Sequence, residues 1–596
     1  MKKSIYILGI YNGHNATVTL LRDGKIIACV SEERFVGVKN YQGFPKKSID
    51  WSLSYAGISS KELDLVTIPF TVEVPIYVED GKSKDNSINI LSFFYRSVSL
   101  IRSLWGKIVY KFPYFRPLGW YAYMFAAKTV GKYVTERQNQ SIADYLHIPV
   151  KKIVSFDHHL CHAASAYFGS NFNRKKALVF TLDGEGDGLC STVSIFNSDT
   201  IVRIASTPRE NSIGYIYQYV TKFLGMKPGE HEYKVMGLAP YAKDIDVLKL
   251  FKKIKNLIVL NSRNKLVFHS RFNTLDTLSY LTKNIQFVRF DVIAGAFQKL
   301  LEDRVSEWIN FGVNKTKINT VICSGGVFMN VKANQRVATL PSVKQVYFMP
   351  SAGDESAAIG ACYLAYQALN KTQMTNLPAY PIKDLYLGPS FSDELIGKLL
   401  KKEGYDKKYK VNIIKHIEKH VASLLSKGEI VARMTGRMEF GARALGNRSI
   451  LANPSSLDVI RVINEQIKSR DFWMPFAPTI LYERMHDYCI NPKNIDAPYM
   501  MASFDSTPLA REHFKAAMHP YDFTLRPQIL RKEWNMPYHA LIKEFERLTG
   551  IGGVLNTSFN LHGYPIVLGP EEALFVFEHS SIHYLALEDF LIEKND

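Results

Sequence analysis

The chain has 596 residues, 46% of them hydrophobic and 22% charged, so it can build two or more cores, and its composition excludes a disordered or collagenous protein. The formal net charge of +18 favours anionic partners, and phosphorylated small molecules, nucleic acid and anionic membrane surfaces all satisfy it. Six scattered cysteines (Cys29, Cys161, Cys190, Cys323, Cys362, Cys489) contain no CxxC pair, which argues against a zinc ribbon or disulfide framework and for a reducing, cytoplasmic setting.

In chain order, Met1 to Lys3 lead straight into the strand-like Ile5-Tyr6-Ile7-Leu8, without a secretory pattern. A turn, Asn12-Gly13-His14-Asn15, joins this strand to a second, and Asp23-Gly24 joins the second to a third; an Asp-Gly pair between apolar runs is a hairpin signal. Residues 85–135 form a basic, aromatic-rich insertion, expected to pack on the main domain, with a wall of an acceptor pocket or a peripheral membrane contact as alternatives. Its longest apolar stretch, 117–127, is far short of the roughly 20 residues that span a bilayer, so no transmembrane helix is expected. Residues 177–196 repeat the strand–turn–strand pattern around Asp183-Gly184-Glu185-Gly186-Asp187-Gly188, a short likeness to the first unit. Two later segments, 321–330 and 346–361, run from an apolar strand through glycines into a helix, a junction that turns backbone N–H groups toward an anion. Prolines and polar residues between 371 and 383 mark a domain boundary, and the chain beyond about 385 reads as a second α/β unit.

His158 and His162 stand four residues apart at the start of a helix-like run, which puts both imidazoles on one face at chelating distance. Solvated histidines at an ordinary helix start explain such a pair equally well. Asp183 and Asp354, each in a glycine-bounded turn after an apolar strand, extend it to a mixed nitrogen and oxygen set suited to iron, manganese or zinc; Cys161 should face away. The segment Gly229 to Pro240, with Lys234 and Gly237, reads as a loop approaching a ligand or as ordinary surface. Ser324-Gly325-Gly326-Val327-Phe328-Met329-Asn330 lets backbone approach a phosphate but has neither the P-loop order nor the GxGxxG fingerprint. Beyond residue 385, Arg443 and Arg448 lie in a glycine-bounded block, followed by Lys468, Arg470, Arg526 and the run Asn556 to Asn560; arginine forks in such turns suit phosphate and carboxylate.

These blocks, with Ser31-Glu32-Glu33-Arg34-Phe35, Asp157-His158-His159 and Met474-Pro475-Phe476-Ala477-Pro478, resemble the O-carbamoyltransferase family that modifies antibiotics and nodulation factors, the NodU/CmcH type. The resemblance implies an α/β protein: an actin-like ATPase domain of duplicated ribonuclease H-like units over residues 1–370 (insertion about 75–140), a linker at 371–384, and a YrdC-like α/β domain over 385–596. It implies that the second domain makes carbamoyl-adenylate from carbamoyl phosphate and ATP, and that the first moves the carbamoyl group to a small-molecule or glycan hydroxyl. By motif position His158, His162, Asp183 and Asp354 hold a divalent metal, Fe2+ first and Mn2+ or Zn2+ as alternatives, with Mg2+ accompanying ATP. Arg443, Lys468, Arg526, Ser558 and Asn560 hold carbamoyl phosphate or the adenylate; Lys234, Gly237, Gly325, Gly326, Asn330 and Arg448 complete the cofactor contacts. His14 is the expected base for the acceptor hydroxyl. One departure is Met474, where the family often has an arginine, and phosphate affinity is then expected to lean on Arg448 or Arg470. No nucleic-acid partner is expected, and a homodimer is left open. The rival readings are a threonylcarbamoyl-type tRNA-modifying enzyme and an actin-like nucleotide-binding module without transferase activity.

Overall fold

A computed structural model of the chain describes residues 4–71, 135–198, 200–372, 378–468 and 471–595; the insertion falls almost wholly outside the described residues. The first five strands are β1 (Tyr6–Tyr11), β2 (Thr17–Arg22), β3 (Lys25–Ser31), β4 (Leu65–Ile68) and β5 (Ile153–Ser155). They form one sheet in the order β3-β2-β1-β4-β5, antiparallel from β1 through β3 and parallel from β1 through β5. The turn between β2 and β3 falls at Asp23 and Gly24, with φ of 49° and 81°. Both central residues are left-handed, the geometry of the tight hairpin turn that an Asp-Gly pair favours.

The pattern returns farther along. Strands β6 (Ala177–Gly186), β7 (Leu189–Asn197) and β8 (Thr200–Pro208) form an antiparallel meander, a small hairpin β9 (Ile258–Leu260) and β10 (Phe268–Ser270) intervenes, and β11 (Thr320–Ser324) and β12 (Gln345–Phe348) add in parallel. The order is β12-β11-β6-β7-β8, so the two sheets share one topology and the short sequence repeat is the first hairpin of each.

The two copies meet on the helix Ala357–Thr372. A Cβ on Gly9 of β1 would lie 2.5 Å from the Ala358 carbonyl oxygen, and one on Gly360 would collide with the Cys161 carbonyl of the helix His158–Gly169. Glycine at these two points lets a strand and a second helix touch the same helix backbone. The buried cluster around this helix also takes in Leu385, Phe440, Leu445 and Tyr499 from the later chain.

Residues after 385 build an α/β unit on an eight-stranded mixed sheet. Its strands are β13 (Lys410–Ile413), β14 (Val431–Met434), β15 (Arg448–Ala452) and β16 (Ala477–Leu481), then β20 (Gln528–Leu530), β21 (Gly553–Ser558), β22 (Tyr584–Leu587) and β23 (Phe590–Glu593). A side sheet of β17 (Cys489–Ile490), β18 (Phe504–Ser506) and β19 (Thr524–Leu525) interrupts them in sequence. The large sheet runs β13-β23-β22-β14-β15-β21-β16-β20 over its own apolar core. All six cysteines are buried free thiols, and no helix among the described residues is long and apolar enough to cross a membrane.

Candidate active site and metal centre

The helix His158–Gly169 begins at Asp157, whose carboxylate accepts from Leu160 N at 2.7 Å, while His158 N donates to Asp187 Oδ2 at 2.9 Å. With its first N–H groups satisfied, the helix holds His158 and His162 one turn apart, fully buried, with Nε2 atoms 3.1 Å from each other. Asp183 ends the apolar part of β6: Gly184 N donates to its Oδ1 at 2.7 Å and Gly326 N to its Oδ2 at 3.2 Å. That Oδ2 lies 3.1 Å from His162 Nε2 and 4.0 Å from His158 Nε2. Asp354 opens the turn into the helix Ala357–Thr372. Tyr11 OH donates to its Oδ2 at 2.6 Å, and its Oδ1 lies 3.4 Å from His162 Nε2 and 3.6 Å from His158 Nε2.

One donor atom from each of the four residues thus falls within 4.8 Å of the others. The four groups are coupled electrostatically. Burial opposes the charged forms of Asp183 and His162, yet the two histidines hold Asp183 well below the usual carboxylate range, and Asp183 with Asp354 raises His162. Two imidazoles and two carboxylates converging on one point fit a divalent metal of the iron, manganese or zinc type. Space is matched as well: a Cβ on Gly186 would collide with the His158 imidazole. His159 points elsewhere, its Nδ1 2.9 Å from Thr181 Oγ1, and burial and then the neighbouring histidines push it down to about 3.

The turn carrying His14 follows Tyr11, the residue that reaches Asp354. The His14 side chain is exposed, its backbone bridges to Gln42, and its Nε2 faces Gly229. The structure therefore brings His14 against the start of the Gly229 to Pro240 segment. Farther along that segment Lys234 pairs with Asp471 at 2.8 Å, and the Gly237 carbonyl accepts from His519 Nε2 at 2.9 Å. Both contacts tie the early chain to the later one. Met474 is buried against Gly237. Gly237, Lys332, His519 and Arg526 line a cavity of about 40 Å3 at this junction.

Several expected ligand contacts have structural employment. Arg448 is fully buried, and its guanidinium donates to the carbonyls of Thr435, Gly436, Asn447, Leu568 and Pro389 at 2.9–3.4 Å. It pins loops around β15, and the five carbonyls occupy the guanidinium expected to contact the cofactor and to compensate for Met474. Asn330 accepts from Ala333 N at 3.0 Å, capping the helix Val331–Thr339, and exchanges two hydrogen bonds with Gln298; the cap accounts for this residue where a nucleotide contact was expected. Gly325 has φ of 101° and lies against the Leu182 backbone, so it serves the close approach of β11 to β6, while Gly326 orients Asp183.

Arg443 and Arg526 are half-buried. Ser558 donates to Asn560 Oδ1 at 2.7 Å, and Asn560 Nδ2 to Tyr564 O at 2.7 Å. Lys468 ends the π-helical segment Val462–Lys468, and its side chain and Arg470 lie outside the described residues.

Sequence reasoning missed three groups. Tyr11 is visible only as the last residue of an apolar strand. His519 gave no signal, since its partner is a carbonyl 282 positions earlier. The third is a buried link from the metal loop to the arginine block: Ser351 donates to Glu355 and accepts from Ala442 N, and Arg34 Nη2 donates to Gly441 O at 2.8 Å. Burial pushes the Glu355 carboxyl up to about 7. The Ser-Glu-Glu-Arg block stands out in the sequence, but its partner at Gly441, 407 positions on, does not.

Two family models match this chain: the carbamoyltransferase N-terminus over residues 6–363 and the carbamoyltransferase C-terminus over 422–594. The chain belongs to the carbamoyltransferase family, and that membership supports a carbamoyl-transferring activity. It is 31% identical to "Uncharacterized protein MJ1051" of Methanocaldococcus jannaschii over 99% of both chains. It is 26% identical to "Nodulation protein NolNO" of Sinorhizobium fredii over 98% of this chain and 79% of that one. Among solved structures, T. kodakarensis HypF covers 62% of this chain and 49% of its own, with 12% identity and a TM-score of 0.34.

Proposed function

We propose that this protein is an ATP-dependent O-carbamoyltransferase acting on a small-molecule or glycan hydroxyl in the cytoplasm, with residues 1–370 as the transfer domain, 371–384 as linker and 385–596 as a YrdC-like adenylate-forming domain. The observation that carries the reading is the cluster of buried His158 and His162 with half-buried Asp183 and Asp354, reached through Tyr11 from the strand whose following turn exposes His14, in a chain of this family.

The chemistry balances in three steps. Carbamoyl phosphate and water give carbamate and phosphate; carbamate attacks the α-phosphorus of ATP, releasing pyrophosphate and forming carbamoyl-adenylate; the acceptor hydroxyl attacks the carbamoyl carbon, releasing AMP. Arg443, Lys468 and Arg526, with Ser558 and Asn560, receive the anions of the first two steps, fixed cations being effective where negative charge concentrates. Carbamate decomposes readily, so an enclosed site protects it until it is captured as the mixed anhydride. In the last step His14 takes the proton of the acceptor hydroxyl. A metal held by the four-residue cluster supplies Lewis acidity toward phosphate oxygens. Fe2+ suits the donor set best, and Mg2+ accompanies ATP.

The test is pyrophosphate release with ATP and carbamoyl phosphate but no acceptor. Arg526→Ala is expected to suppress it, since losing a charged hydrogen-bond partner costs on the order of 1.5–3 kcal/mol. Release that is independent of carbamoyl phosphate, or unchanged in the variant, overturns the reading.

A further inference from the structure

One end of the protein has a surface that the proposed chemistry does not use. The helices Asp244–Ile254 and Phe290–Thr316 pack side by side in the same direction: Val247 meets Gly295 near their starts, and Arg304 Nη2 donates to the Lys255 carbonyl at 3.0 Å farther on. Their first turns therefore end together, and four large apolar side chains are exposed there: Ile245 (75%), Leu248 (45%), Phe290 (55%) and Phe287 (104%). Phe287 sits in the loop before the second helix at φ of 59°, a left-handed conformation rare for a bulky residue, which leaves its ring wholly outside the fold. Single exposed apolar residues are ordinary, but four in the first turns of two adjacent helices and the loop before one of them are not.

The charged groups among them narrow the choice of partner. Lys243, Lys249, Lys283 and Arg289 are exposed around the apolar side chains, with Lys252 and Lys253 one turn on. Asp244 and Asp246 are the exposed acids of the same first turn, and Arg289 pairs with Asp291 at 2.7 Å. Lysine is depleted from the cores of protein–protein interfaces, and self-association through this face would set the lysines of two copies against one another. Protruding aromatics among flexible cations suit an anionic lipid surface, where the rings enter the headgroup boundary and the amines meet phosphates.

We propose that this end, built on Phe287, Phe290, Ile245 and Leu248 with its basic surround, docks peripherally on an anionic bilayer. The experiment is co-sedimentation of the full chain with vesicles of phosphatidylcholine alone and of phosphatidylcholine mixed with phosphatidylglycerol, at low and high salt. Binding is expected to the mixed vesicles only and to fall with salt. Phe287→Ser with Phe290→Ser is expected to lower the bound fraction roughly ten-fold or more, with pyrophosphate release and melting temperature unchanged. Lys243→Glu with Lys283→Glu, which leaves the apolar side chains in place, is expected to weaken binding at low salt. Failure to bind the mixed vesicles overturns the proposal, as does binding undiminished in both variants. A phenylalanine variant that changes mass in light scattering while binding vesicles normally assigns the surface to a second copy and likewise overturns it.

Discussion

The turn after β1 and the turn after β6 occupy the same place in two sheets of one topology, yet they carry opposite chemistry. The second offers Asp183 to the histidines, Asp187 to the start of their helix and to Thr71 N, and Glu185 to Tyr215 and Arg209. The first has no carboxylate between Asn12 and Asn15; it reaches the cluster through the Tyr11 hydroxyl and leaves His14 exposed. The repeated backbone supplies two equivalent positions around the cluster, and side chains divide the work: one turn holds charge, the other presents a group that can accept a proton.

Four variants test that division. The largest effect is expected from His158→Ala with His162→Ala, which should abolish metal content by elemental analysis and carbamoylated product while the protein stays folded; a full complement of metal refutes the assignment. Next is His14→Ala, expected to lose roughly 100-fold or more in carbamoylated product while keeping acceptor-independent pyrophosphate release, the scale for a general base. Parallel loss of both half-reactions with a lowered melting temperature would make the turn merely structural.

Tyr11→Phe removes the hydrogen bond to Asp354 without touching a donor atom of the cluster. Such supporting contacts are worth roughly 10–100-fold in metal affinity, and a titration giving wild-type affinity would detach the first turn from the cluster. The smallest effect concerns Glu230, which anchors the segment facing His14. Burial opposes its ionisation, but Lys227 and Lys39, the latter at 2.8 Å, bring it down to about 2 from an ordinary value near 4.5. A depressed carboxyl stabilises the fold above its unfolded value, and the contribution is lost as pH falls from about 4.5 toward 2. Glu230→Gln should therefore cost under about 1 kcal/mol near neutral pH, and the difference from wild type should vanish in acid melts; a difference independent of pH would exclude the ion pairs as its source.

The parts legible in sequence are those whose signal is local. Asp23-Gly24 announces its hairpin, the histidine spacing reports a shared helical face, and Asp183 and Asp354 stand where apolar runs break into glycine. The parts that were not legible depend on distant partners. Nothing in the order Gly-Asn-Arg-Ser tells that Arg448 is surrounded by five carbonyls, because those carbonyls come from loops as far away as Pro389 and Leu568. The helix cap made by Asn330 is equally silent, because a strand–glycine–helix junction at a phosphate and a capped helix start share one sequence pattern. The tie between Gly237 and His519 needed both halves of the chain folded before it existed.

The glycine contacts on the helix Ala357–Thr372 have a consequence for substitution. Gly9 and Gly360 bring β1 and the histidine helix onto its backbone with no side chain between, so a side chain added at either point would push apart the elements that carry Tyr11, the two histidines and, one turn before the helix, Asp354.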